Sequence, residues 1–195
     1  MRSRADPQLV KSAAVLLANA NLSSSPSWDY PMKTLPRPTG KATRVIITAY
    51  DLPRKESQPH DAVVTPDGKT VWYSDFGAQF AGELDPKTGK ALEYAVPVLK
   101  PEQPRGSLEI SLAPDGTPWF AMMYQAGIGK INPKTKVVTA YPFPAAWQNT
   151  TTQASMVSPQ HSDVDGKMWT NNQEVRAHYR LDIKTGQYED MGITV

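Results

Sequence analysis

The sequence predicts an all-β fold: a partial β-propeller of about three four-stranded antiparallel blades plus one orphan outer strand, with a short N-terminal helix. Three observations carry this. The turn "DPKTGK" at 85–90 returns as "NPKTKV" at 132–137 and "DIKTGQ" at 182–187. Asp-Gly pairs at 67–68, 115–116 and 165–166 keep step with it, each followed shortly by Trp72, Trp119 or Trp169. Short β-type segments fill the intervals: "AGELD", "GIGKIN" and "AHYRLD" before the second turn, then tyrosine-bearing "ALEYAVP", "VVTAYPFP" and "GQYEDMG" after it. Asp-Gly and Lys-Thr-Gly are hairpin chemistry, because glycine, asparagine and aspartate tolerate the positive φ that tight turns need. Four strands in a repeat of about 40–50 residues make a propeller blade.

The elements follow in order. Residues 8–22 place Leu9, Val10, Ala13, Leu16, Leu17 and Ala20 at helical spacing, with Asp6-Pro7 as N-cap and first helical residue, so 1–22 is read as a helical segment. Residues 23–42 carry Pro26, Pro31, Pro36 and Pro38 and read as a stiff linker or arm, with Trp28, Tyr30 and Leu35 as anchors. The β-branched run at 44–52 reads as an outer strand of a closing blade, with Tyr50 in the tyrosine class of the fourth strands. The blades then span 58–97, 104–144 and 158–192 within a propeller region of 43–195. Each tryptophan sits on a second strand, where a large ring fills the wedge between blades. Propellers close with about 4–8 blades. Three blades leave two broad apolar faces open. The expectation is a piece of a longer propeller, inactive alone and poorly soluble as a monomer, in preference to closure by oligomerising.

Bulk composition narrows the function classes. Lys and Arg number 21 against 19 Asp and Glu, and a formal charge of +2 makes no electrostatic case for nucleic acid. The chain has no cysteine, which removes disulfides, thiolate metal sites, a Cys nucleophile and covalent haem attachment within it. No apolar run approaches the roughly 20 residues of a membrane span. The N-terminus imitates a signal peptide, but Asp6 and Pro7 interrupt it, and a short amphipathic helix is the preferred reading. The compartment stays open, with a periplasmic or secreted parent as the expectation.

The stretch "ITAYDLP…QPHDAVVTPDGKTVWYSDF…GELDPKTGKALEYAVP" resembles the virginiamycin B lyase (streptogramin lyase) family of seven-bladed propellers, over about 44–191. The resemblance implies a carbon–oxygen lyase. In that chemistry a histidine takes the α-proton beside an ester carbonyl, a divalent ion such as Mg²⁺ polarises the carbonyl, and the ring opens without water. The family's catalytic groups belong to later blades, so no catalytic residue is carried over; those of this chain stay unknown. The "NANLSSS" tail of the helix with its proline-rich arm resembles the end of a c-type cytochrome module, which implies a second reading: a non-catalytic propeller that binds a ligand or partner, attached to an electron-transfer protein. A gluconolactonase-type hydrolase needs a set of channel carboxylates and an Asn that the sequence does not show.

The residues left to consider lie near the starts of the innermost strands, facing the channel. His60 in "QPHD" matches the "PH" of the family repeat, and His161 in "SPQHSD" sits comparably with a different spacing to its Asp-Gly. In the middle blade Leu108 falls where His60 would, and Glu109 pairs with Asp61. One reading gathers His60, Asp61, Glu109, His161 and Asp163 around one mouth as ligands for a small molecule or metal. The other, preferred, has Asp61 and the histidines satisfying backbone groups between strands. Met122 to Tyr124 and Trp147 to Asn149 are expected to cover blade ends, and Thr150 to Ser158 form a long polar loop.

Overall fold

The computed structural model describes residues 7–20, 36–37, 39–44, 46–158 and 165–193. The chain divides into two compact units, Met1–Thr48 and Ala49–Val195. In the first, α1 spans Pro7–Ala20 and a short 3-10 helix spans Gly40–Thr43. Leu9, Val10, Val15 and Leu16 of α1 are exposed. Asp6 and most of the proline-rich arm lie outside the described residues.

The second unit holds three four-stranded antiparallel sheets, each built from consecutive strands. The first contains β1 (Pro59–Val64), β2 (Val71–Asp75), β3 (Phe80–Leu84) and β4 (Ala91–Ala95). The second contains β5 (Ile110–Leu112), β6 (Pro118–Ala121), β7 (Gly127–Ile131) and β8 (Val138–Pro142). The third contains β9 (Val157–Ser158), β10 (Lys167–Asn172), β11 (Ala177–Asp182) and β12 (Tyr188–Ile193). β1 lies beside β5 and β5 beside β9, so successive sheets meet through their first strands. Residues 46–52 pair with no strand; an outer strand needs a third strand to join, and among the described residues all three sheets already have their fourth.

The repeated turns work by repeated chemistry. At the first hairpin the carboxylates of Asp67, Asp115 and Asp165 accept the N–H two residues on, at 3.1, 2.9 and 2.9 Å. At the second, Asp85, Asn132 and Asp182 do the same for Lys87, Lys134 and Lys184 at 2.8, 2.9 and 2.9 Å. Such Asx bonds hold the loop closed locally. The fifth residue of this turn is left-handed in all three: Gly89, Lys136 and Gly186 have φ of 74°, 60° and 72°. Lys136 accepts a conformation that favours glycine, and its side chain reaches back to the first sheet. Its ammonium pairs with Glu83 and lies 4.9 Å from the Trp72 ring centroid.

Register shows how the wedges fill. Trp72, Trp119 and Trp169 stand opposite Glu83, Lys130 and Arg180, so the three tryptophans are equivalent and define the rear face of each sheet. Trp72 is 2% exposed in a cluster with Phe120, Ile110, Met122 and Ile131 of the next sheet. Trp119, also 2% exposed, packs with Val157, Met168 and Leu181 of the third. At about 25 cal/mol per Å² and roughly 150–250 Å² per ring, each contact contributes several kcal/mol.

On the front faces an aromatic ring lies over a glycine. Tyr73 faces Gly82 and Phe120 faces Gly129, and a β-carbon on either glycine would run into the ring. The third sheet exchanges the partners: small Thr170 on β10 faces Tyr179 on β11, so one bulky group still fills the space. Tyr188 also departs from the expected pattern. Tyr94 and Tyr141 face Ala81 and Ile128, but Tyr188 faces Leu181, at the place held by Ala91 and Val138 in the other sheets. From there its hydroxyl donates to the Tyr141 carbonyl at 2.7 Å and its ring meets Phe143 edge-on, and burial pushes its pKa well up.

Gly129→Ala drives a methyl group into the buried Phe120 ring. The expected outcome is a loss of about 1–3 kcal/mol, read as a lower midpoint in urea unfolding.

Candidate functional site

The candidate site lies at the starts of the first strands. The N–H groups on the channel edge of an innermost strand have no further strand to bond, and leaving one unpaired costs about 1–3 kcal/mol when buried. Two carboxylates answer this. Asp61 accepts the Ile110 N–H of the second sheet through Oδ2 at 3.2 Å, and the Ala62 N–H through Oδ1 at 2.9 Å. Glu109 accepts the Val157 N–H of the third sheet at 2.7 Å. The same clasp thus joins the first sheet to the second and the second to the third. Burial holds the Glu109 pKa above its ordinary value, against the pull of the Val157 N–H, and the neighbouring Asp61 charge raises it further.

His60 is exposed, and its ring stacks on Phe76 with centroids 5.7 Å apart. Leu108 occupies the equivalent place in the second sheet, since Ala62 faces Tyr73 as Ile110 faces Phe120; its carbonyl accepts the buried Ser74 hydroxyl. In the third sheet Val157 faces Thr170, which puts Ser155 and Met156 where His60 and Asp61 stand. His161 and Asp163 come after β9 rather than before it, and lie outside the described residues. His60, Asp61 and Glu109 are therefore the candidates that lie within the described residues. Among the described residues no three His, Asp or Glu side chains come together as a metal site. Asp61 uses both carboxylate oxygens, and Glu109 one, on backbone N–H groups.

Met122 and Met123 are buried, Met122 in the seam between the first two sheets. Trp147 packs on Tyr179 with centroids 4.8 Å apart. The polar loop is bonded to itself and to the third sheet: Asn149 accepts the Thr151 N–H at 2.8 Å and donates to Glu174 at 3.0 Å.

Sequence reasoning missed an ionic cluster on the front face of the first sheet. The Arg54 guanidinium pairs with Asp75 and with Glu93, the latter at 2.6 Å, and sits 4.3 Å from the Phe80 ring centroid. Glu93 also accepts the Ser57 hydroxyl at 2.9 Å and the Tyr73 hydroxyl at 3.2 Å, while Asp75 accepts the Gly77 N–H at 2.8 Å. The Asp75 and Glu93 side chains are 0% and 5% exposed. Hydrogen bonding to Glu93 raises the Arg54 pKa, and burial with the nearby Glu93 charge pushes the Tyr73 phenol up. A signal was present: in register, Asp75 and Glu93 stand where the second sheet has Met122 and Ala140. Arg54→Met leaves two buried carboxylates without their cation. It is expected to destabilise the chain by about 3–5 kcal/mol, measured by denaturant titration.

Sheets of four antiparallel strands, meeting through their first strands and wedged by tryptophan, define part of a β-propeller. Among solved structures the fold matches that of virginiamycin B lyases. A catalytically inactive histidine-to-alanine variant of virginiamycin B lyase from Staphylococcus aureus with quinupristin is 24% identical, with a TM-score of 0.63 over 78% of this chain and 47% of that one. A streptogramin B lyase structure is 22% identical, with a TM-score of 0.57 over 71% and 41%. The periplasmic gluconolactonase of Pseudomonas aeruginosa is 14% identical, with a TM-score of 0.52 over 70% and 40%. The chain spans less than half the length of these structures. No family model matches it, and no curated protein does. Among the described residues no helix is long and apolar enough to cross a membrane.

Proposed function

We propose that the chain contributes three blades to a virginiamycin B lyase-like propeller whose whole protein opens a cyclic ester, or a related small ligand, by carbon–oxygen elimination. The observation that carries this reading is the fold similarity to virginiamycin B and streptogramin B lyases over most of the described sheets. The "QPHD" stretch supports it from the sequence, placing His60 and Asp61 at the start of an innermost strand. His60, Asp61 and Glu109 are read as rim groups that shape the mouth. No catalytic base is assigned to this chain. In elimination a base removes a proton from the carbon next to the one that bears the ester's alkyl oxygen, the bond from that second carbon to oxygen breaks, and the products are an alkene and a carboxylate joined in one linear molecule.

That balance gives a clean test. Quinupristin, with which the Staphylococcus aureus enzyme was crystallised, is incubated with the protein expressed from its complete reading frame, with Mg²⁺ supplied. The expected product is linear, carries a new double bond, and has the mass of the substrate. A product heavier by one water overturns the lyase reading in favour of a hydrolase, and intact substrate overturns turnover of this class. The 195-residue chain alone is expected to leave the substrate unchanged.

A further inference from the structure

Each repeated tryptophan carries a cation, and two of the three cations carry a carboxylate. Lys136 stands 4.9 Å from the Trp72 ring centroid and pairs with Glu83. Arg180 stands 5.7 Å from Trp169 and pairs with Glu189 at 2.7 Å and Asp165 at 3.5 Å. Lys130 stands 5.1 Å from Trp119 and 5.5 Å from Tyr141, and among the described residues it pairs with no carboxylate. Register gives the reason. Glu83 faces Trp72 in the first sheet and Lys130 faces Trp119 in the second, so a cation holds the place of the acid. The reaching lysine is missing too. Lys136 extends from the fifth position of its turn, where the third sheet has Gly186. Tyr94 donates its hydroxyl to Glu83 at 2.5 Å, whereas Tyr141, its equivalent by register, finds no such acceptor among the described residues. A cavity of about 270 Å³ lies at this place, walled by Ala113, Trp119 and Ile183, with Lys130, Thr117 and Asp115 beside them.

We propose that this cavity binds a small monocarboxylic acid with an apolar body, whose carboxylate plays toward Lys130 the part that Glu83 plays toward Lys136. A hydrogen bond between ammonium and carboxylate is shorter and stronger than one between neutral groups. The aliphatic and indole walls suit an apolar body. The volume admits a single ring, since a dry apolar cavity of about 150 Å³ already holds benzene. Asp115 limits the charge that can enter. Its Oδ1 accepts the Thr117 N–H at 2.9 Å, and its negative charge stands on the same cavity, so a second carboxylate on the ligand meets repulsion. The site lies beside the turns that follow β5 and β11, at the far end of the strands from His60, Asp61 and Glu109. It is independent of the lyase reading, and its test uses no lyase substrate.

Benzoate is titrated into the 195-residue chain, and binding is read from the broadening of its ring-proton NMR signals and from the urea midpoint. Saturable binding is expected, with a midpoint that rises with benzoate concentration. Benzyl alcohol, of similar shape but uncharged, and phthalate, with two charges, are each expected to bind at least about tenfold more weakly. Lys130→Met is expected to weaken benzoate by a similar factor, and Lys130→Arg to retain it. Lys130→Glu together with Gly186→Lys rebuilds the pair of the first seam. Lysine accepts the conformation this requires, since φ is 60° at Lys136 and 72° at Gly186. The double variant is expected to lose benzoate binding while holding the urea midpoint of the unaltered chain. Absence of saturable binding, equal affinity for either analogue, or undiminished binding in Lys130→Met or in the double variant overturns the proposal. The comparison of analogues needs no variant, so it decides even where a variant does not fold.

Discussion

Everything in the second unit depends on one contact: a tryptophan on the second strand of each of the first two sheets, buried under the front face of the next. A four-stranded antiparallel sheet of about 20 strand residues has too little apolar surface within itself to be stable. It gains stability by stacking, and the stacking must tolerate a wedge, because sheets that touch at their first strands diverge toward their fourth. Large rings at Trp72 and Trp119 fill that widening space. The cation over each ring adds a fixed charge where the indole face is negative, and keeps a polar group at the rim of an apolar seam.

The other features follow from holding wedges in register. Glycine at 82 and 129 lets an aromatic ring lie flat across its own sheet, and the third sheet reaches the same filling with Tyr179 over Thr170. Asp61 and Glu109 close the narrow end of each seam by taking up edge N–H groups. These carboxylates therefore have a structural duty at the mouth, and any part in binding is built on top of it. The raised Glu109 pKa records the cost of that duty, a charge kept half-buried so that a backbone donor is not left unpaired.

Much of this was legible in the residues, and the limits have physical causes. Turns are local: Asp-Gly and Lys-Thr-Gly fix their own geometry, so the strand order and the equivalence of the tryptophans could be read directly. The alignment of Leu108 with His60 and Glu109 with Asp61 came from the same counting and agrees with the observed register. The third innermost strand was harder because β9 has only two residues, too short to carry a period. Its place lies upstream of the histidine that drew attention. Tyr188 misled for a related reason, since a tyrosine in a fourth strand says nothing of its facing partner. Arg54 with Asp75 and Glu93 joins residues far apart in sequence, and no local pattern announces such a pair. The substitution of charge at positions that are apolar in the next repeat was the one available sign.

The central claim is the burial of the repeated tryptophan beneath the following sheet. Acrylamide quenching of chains that retain a single tryptophan at 72, 119 or 169, with the others replaced by phenylalanine, tests it directly. The account predicts that Trp72 and Trp119 are shielded and that half-buried Trp169 is quenched more than either. Equal quenching at all three positions would contradict it.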